Sequence, residues 1–117
     1  IDIDNLIHPY FFDYIQFKHS LQLLSDYLQY ENLKTDQKIY VILFLVYIVS
    51  KNTHHIYHAN YNDYTQLKFF YTKTISELFE FSKVSHTISD KTKSDIHFVH
   101  SSFQKSIERA EYNIDTK

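Results

Sequence analysis

The sequence predicts an all-α protein, a single-domain antiparallel four-helix bundle over residues 1–117. Three observations carry that expectation. The chain contains no glycine, where about eight would be usual for its length, and tight hairpins and left-handed helix caps both lean on that residue. Apolar residues recur at helical spacing in four segments, and no partner strands with alternating pattern are visible. Between the segments lie Asn, Asp, Ser and Thr, which cap and turn without glycine. Apolar residues make up 44% of the chain, with 11 Tyr and 10 Phe, enough for a core of its own without disulfide or metal staples.

The first helix is expected over about 9–31. Pro9 suits the first helical position, and Tyr10, Tyr14, Phe17, Leu21, Leu24 and Leu28 advance in alternating steps of four and three along one face. Phe12, Ile15, Leu23 and Tyr30 lie on roughly the opposite side, with His19 among them and Phe11 and Tyr27 beside them. A helix apolar on two faces is either enclosed by its own domain or shared between a core and a partner.

Asn32 to Thr35 interrupts the pattern, and Thr35 or Asp36 can cap a second helix over about 36–50. It contains the longest apolar run, the eleven residues Ile39 to Val49. Such a run exceeds a usual strand, so a buried central helix is the better reading. It spans about 16 Å as a helix, roughly half a bilayer core, and no membrane span is expected. Asn52 to Asp63, rich in His, Asn and Tyr, reads as a connection. A third helix follows over about 64–83, capped by Asn62 or Asp63. Its stripe is Tyr64, Leu67, Tyr71, Ile75 and Leu78, widened by Phe70, Phe79 and Phe81. The fourth, about 94–113 with Ser89 or Ser94 as cap, carries Ile96, Val99, Phe103, Ile107 and Ala110. With so few small residues, the helices should stand toward the wide end of the usual 8–10 Å spacing.

Composition removes whole classes of function. Without glycine there is no P-loop, dinucleotide fingerprint or nucleophile elbow, and without cysteine no disulfide or thiolate chemistry. The formal charge of −2, from 12 basic and 14 acidic residues, includes no basic run longer than a pair, so no nucleic-acid partner is expected. Gly, Ala, Arg and Pro together number four (Ala59, Ala110, Arg109, Pro9); their codons are GC-rich, which suggests an AT-rich genome. Residues 1–8 do not resemble a signal peptide. The compartment is not indicated, with cytoplasm the default.

Two constellations stand out. Eight histidines include His54 and His58 four apart and His97 and His100 three apart. Either pair could hold Zn or Fe if helical, in a redox or hydrolytic bundle. Bundle metal sites recruit inward carboxylates as well, and no Glu-x-x-His occurs. Incidental surface imidazoles account for the pairs better, and the leading expectation is no cofactor. The second constellation is the outer stripe of the first helix: Phe11, Phe12, Ile15, His19, Leu23, Tyr27 and Tyr30. Aromatic side chains are favoured interface anchors. The leading expectation is therefore a non-catalytic interaction module of inhibitor, immunity, chaperone or effector type, binding a protein partner or itself as a homodimer through helix 1. A structural subunit of a larger assembly is the remaining alternative.

Overall fold

The structure, a computed structural model, describes residues 14–29 and 33–115, the side chains of 113–115 excepted. Four helices account for most of them: α1 (Tyr14–Tyr27), α2 (Thr35–Ala59), α3 (Tyr61–Val84) and α4 (Asp90–Asp115). There is no strand among the described residues, and the helices form a compact bundle. The predicted start of the first helix at Pro9 and its last turn at Tyr30–Glu31 lie outside the described residues.

The expected connection at residues 52–63 is corrected most. α2 continues through the His-rich segment to Ala59, and α3 begins at Tyr61. One residue, Asn60, makes the turn. Its backbone is extended (φ −160°, ψ 101°), its N–H donates to the Ile56 carbonyl and its side-chain oxygen accepts from the Asp63 N–H at 3.0 Å. It therefore closes α2 and caps α3 together, without left-handed backbone. No described residue takes positive φ, as a chain lacking glycine favours. The expected caps Asn62 and Asp63 are instead first-turn residues of α3. Likewise α2 is capped at Lys34, whose N–H donates to the Gln37 side chain at 2.8 Å, rather than at Thr35 or Asp36. α4 starts one turn earlier than expected because Ser89 Oγ accepts from the Thr92 N–H at 3.2 Å.

Hydrogen bonds between helices give their directions. Tyr40 bonds Thr92 and Asp95, and Ser50 bonds Ser102 and Ser106, so α2 and α4 run parallel. Tyr64 reaches Glu111 while Phe79 meets His97 and His100, so α3 and α4 are antiparallel. Tyr14 and Lys18 reach Asp63, and Tyr71 reaches Ser25, so α1 runs with α3. The order is up-down-up-down. α4 packs against both α2 and α3, and α2 touches all three other helices. That central place explains why it is apolar nearly all round: Ile39, Leu43, Leu45, Val46, Ile48, Val49 and Ile56 are all buried.

At 25 residues α2 is also long and apolar enough to cross a membrane, which the eleven-residue estimate missed, although 56% of its most apolar stretch is buried against the other helices. Core positions on α3 and α4 follow the expected stripes through Tyr64, Tyr71, Ile75, Ile96, Val99, Phe103 and Ala110. Phe70 and Phe81 depart from them and stand exposed, because they fall about 100° or more from the Tyr64–Ile75 line at helical pitch. Serine supplies the small side chains that Gly and Ala do not. Ser50 and Ser106 approach to 2.9 Å between hydroxyl oxygens, and Thr53 reaches the Ser106 carbonyl. This seam joins α2 and α4 through small hydroxyl side chains.

Candidate functional site

Among the described residues, α1 buries one face. Phe17 and Leu21 are buried in the core with Ser20 beside them, and Tyr14, Leu24 and Leu28 pack at its edge. Polar contacts fix its rotation. The Tyr14 hydroxyl donates to the Asp63 carboxylate at 2.5 Å and the Lys18 ammonium donates to the same oxygen at 3.0 Å. These two bonds, Tyr14 first, hold the Asp63 carboxyl below the usual carboxylate range. Partial burial and the same carboxylate push the Tyr14 phenol up. One turn from the far end, Tyr71 of α3 hydrogen-bonds Ser25, and burial raises its phenol too. Between these anchors α1 and α3 leave a cleft of about 500 Å³ lined by Gln22, Gln66, Leu67 and Phe70 among others.

With that face inward, the opposite face turns outward. Ile15 is 80% exposed, Leu23 46% and Tyr27 43%, and His19 between them is exposed. The four positions advance in steps of four, so they form one ridge slanting along the helix. Phe11, Phe12 and Tyr30, expected on the same surface, lie outside the described residues. The ridge contains no acid–base pair and no cluster of titratable groups. It offers contact area.

The histidines take definite places. His54 and His58 lie on α2 rather than in a loop, their ring centroids 4.4 Å apart, with His55 5.8 Å from His54. His97 and His100 both pack on the Phe79 ring, at 4.5 and 4.6 Å. Partial burial, then the neighbouring His97 and Lys83, lower the His100 imidazole below its ordinary value. No group of three or more His, Asp or Glu able to hold a metal ion occurs among the described residues. The surface that sequence reasoning missed lies between α2 and α4, where Phe98 is 63% exposed beside Tyr40, Phe44 and Tyr47. The signal was present in the alternating three- and four-residue spacing of those α2 aromatics, which was assigned wholesale to the core.

Comparison with protein-family models, with curated proteins and with solved structures returns no match.

Proposed function

We propose that this chain is a non-catalytic interaction module whose first helix presents the Ile15–His19–Leu23–Tyr27 ridge to a protein partner. The exposure of that ridge on a helix anchored by its other face carries the reading. Leaving a large aliphatic side chain in water forgoes about 1.5–3 kcal/mol relative to burial, and two such residues flank one histidine here. A ridge of residues four apart fits the groove of another helix, so the partner surface is an apolar helix face. His19 within the ridge calls for a polar acceptor opposite it.

The test is site-specific photocrosslinking in cells that make the chain, with a benzophenone side chain at Leu23 and, as control, at the exposed Glu77 of α3. A discrete adduct at Leu23, absent at Glu77 and lost on adding Ile15→Asp, is the expected result. Adducts at neither position, or the same adducts at both, would sink the proposal.

A further inference from the structure

A second feature stands independently of the α1 ridge, where α2 and α4 run toward their C-terminal ends. The two helices meet there through short side chains, and Thr53 and Ser106 floor a recess of about 290 Å³. Longer side chains surround it: Lys51, His54 and His55 from α2, and Arg109 from α4. The bonds Ser50–Ser102, Thr53–Ser106 and Ser50–Ser106 match α2 positions with α4 positions 52 to 56 further on. That register sets Arg109 level with His54 and His55, and Lys51 about one turn before them. Four basic side chains from two helices thus share one recess.

The charge in this recess is not offset. Lys18, Lys68, Lys83 and Lys91 each meet a carboxylate elsewhere on the bundle, whereas Lys51 and Arg109 form no ion pair among the described residues. No carboxylate occurs among the described residues that line the recess. Glu108 projects about 100° round the helix from Arg109, and Glu111 is taken up by Lys68 and Tyr64. Lys105, four residues before Arg109 and exposed, adds a third cation at a spacing where like charges repel. The recess also lies about one turn or more before Ala59 and Asp115, where α2 and α4 end. Their negative C-terminal dipoles, which act within the last turn, do not oppose an anion there.

We propose that this recess is a binding site for a phosphate group. Arg109 is the only arginine among the 12 Lys and Arg residues of the chain. Its planar guanidinium can hold two phosphate oxygens at once, while Lys51 supplies a compact charge from the other helix. The Lys51 ammonium stands over the Tyr47 ring at 5.4 Å, a contact with a ring face that occupies no hydrogen-bond acceptor. Imidazole N–H groups of His54 and His55 complete the set of donors. The floor hydroxyls take no part, because Thr53 donates to the Ser50 and Ser106 carbonyls and Ser106 bonds Ser50. Two or three cations suit one phosphate or diphosphate, not the roughly six to ten phosphate contacts of a nucleic-acid interface.

NMR titration of the purified chain with inorganic pyrophosphate, against sodium chloride at matched ionic strength, tests this. Saturable amide shifts are expected around residues 51–55 and 105–110. Arg109→Gln weakens the binding about tenfold or more, as loss of charge-assisted hydrogen bonds does. Arg109→Lys, which keeps the charge and loses the fork, falls between. Lys73→Gln removes the same charge at an exposed position of α3 and leaves the affinity unchanged. Arg109 is itself exposed, and circular dichroism checks that each variant keeps its helices. A second arm measures binding to vesicles of phosphatidylcholine and phosphatidic acid. Saturation by pyrophosphate without vesicle binding assigns the site to a soluble phosphate compound; vesicle binding lost in Arg109→Gln assigns it to a lipid headgroup. Shifts that merely follow ionic strength, or that Arg109→Gln leaves intact, overturn the proposal when vesicle binding is also absent or indifferent to Arg109.

Discussion

Replacing Phe17 with alanine should undock α1 while leaving the other three helices folded. Phe17 is 1% exposed and Leu21 7%, and these are the only fully enclosed apolar side chains that α1 contributes. Truncating a buried phenylalanine costs about 3–5 kcal/mol in transfer and cavity terms. Among the contacts that remain on α1 are Leu21, the Asp63 contacts of Tyr14 and Lys18, the Tyr71–Ser25 hydrogen bond and the edge packing of Leu24 and Leu28. A helix of 14 residues is marginal on its own, so the loss falls on docking and on helicity together. The core of α2, α3 and α4 rests on its own residues, among them Val46, Ile48, Ile75, Ile96 and Phe103, all at 1% exposure or less. At 1.4 kcal/mol per decade, protection of the α1 amides against hydrogen exchange should fall by about two to three and a half decades. Amides around Val46, Ile75 and Phe103 should change by no more than a few-fold. Exchange read by NMR or by mass spectrometry of peptides decides it. If protection drops by one common factor in all four helices, α1 belongs to a single cooperative unit and the reasoning fails.

Three further outcomes follow from the same contacts. Asn60→Ala removes the side-chain acceptor of the Asp63 N–H; it should cost about 1 kcal/mol and lower Tm by about 4–8 °C in thermal melts, whereas Asn60→Gly should cost only a few tenths. Asp63 and Glu111 both titrate below their ordinary values in the folded chain, Asp63 through Tyr14 and Lys18, Glu111 through Lys68 and Tyr64. Their contribution is present above the unfolded carboxyl value and is lost as pH falls through the lower folded values, so Tyr14→Phe should move the Asp63 NMR titration back up and make acid unfolding shallower. His100 is also lowered, so its contribution is full above the unfolded imidazole value and is lost as pH drops through the folded one; denaturant melts between pH 7.5 and 5 should lose less stability in His100→Phe than in the wild type.

Much of the architecture was legible because periodicity survives biased composition. The run Ile39 to Val49 declared a central helix, and the Tyr64–Tyr71–Ile75 and Ile96–Val99–Phe103 spacings placed two others against it. The last turns of α2 were not legible, since Asn52, His54, His55 and His58 carry the polarity of a loop. The core position was there to read: Ile56 follows Val49 at one heptad and is 1% exposed, and Thr53 between them is 5% exposed. Turn length misled as well, because the connection was expected over Asn52–Asp63 and Asn60 makes it with a single extended residue. Serine was read as a residue of caps and turns, yet Ser50 and Ser82 are buried inside helices, their hydroxyls satisfied by Ser106 and by the Phe79 carbonyl. On α1, Ile15 and Leu23, read on the face opposite Phe17 and Leu21, are exposed. The spacing of Tyr40, Phe44 and Tyr47 marked a face of α2, but only tertiary structure decides which face of an all-apolar helix stays open.

The one-residue turn at Asn60 couples the rotation of α3 to the length of α2 like a crank. Adding or deleting a single helical residue in the first turn of α3 rotates the rest of the helix by about 100° relative to Asn60, swinging Tyr64, Tyr71 and Ile75 out of the core and the Phe70 side in. Only changes of about seven residues, near two full turns, return the same face to the interior. The connection at 85–89, held by the Ser85 and Ser89 hydroxyls rather than by one shared backbone unit, has slack to absorb a change of one or two. Length variation in this fold should therefore be confined to the second turn, and a tag or reporter inserted into the chain belongs there.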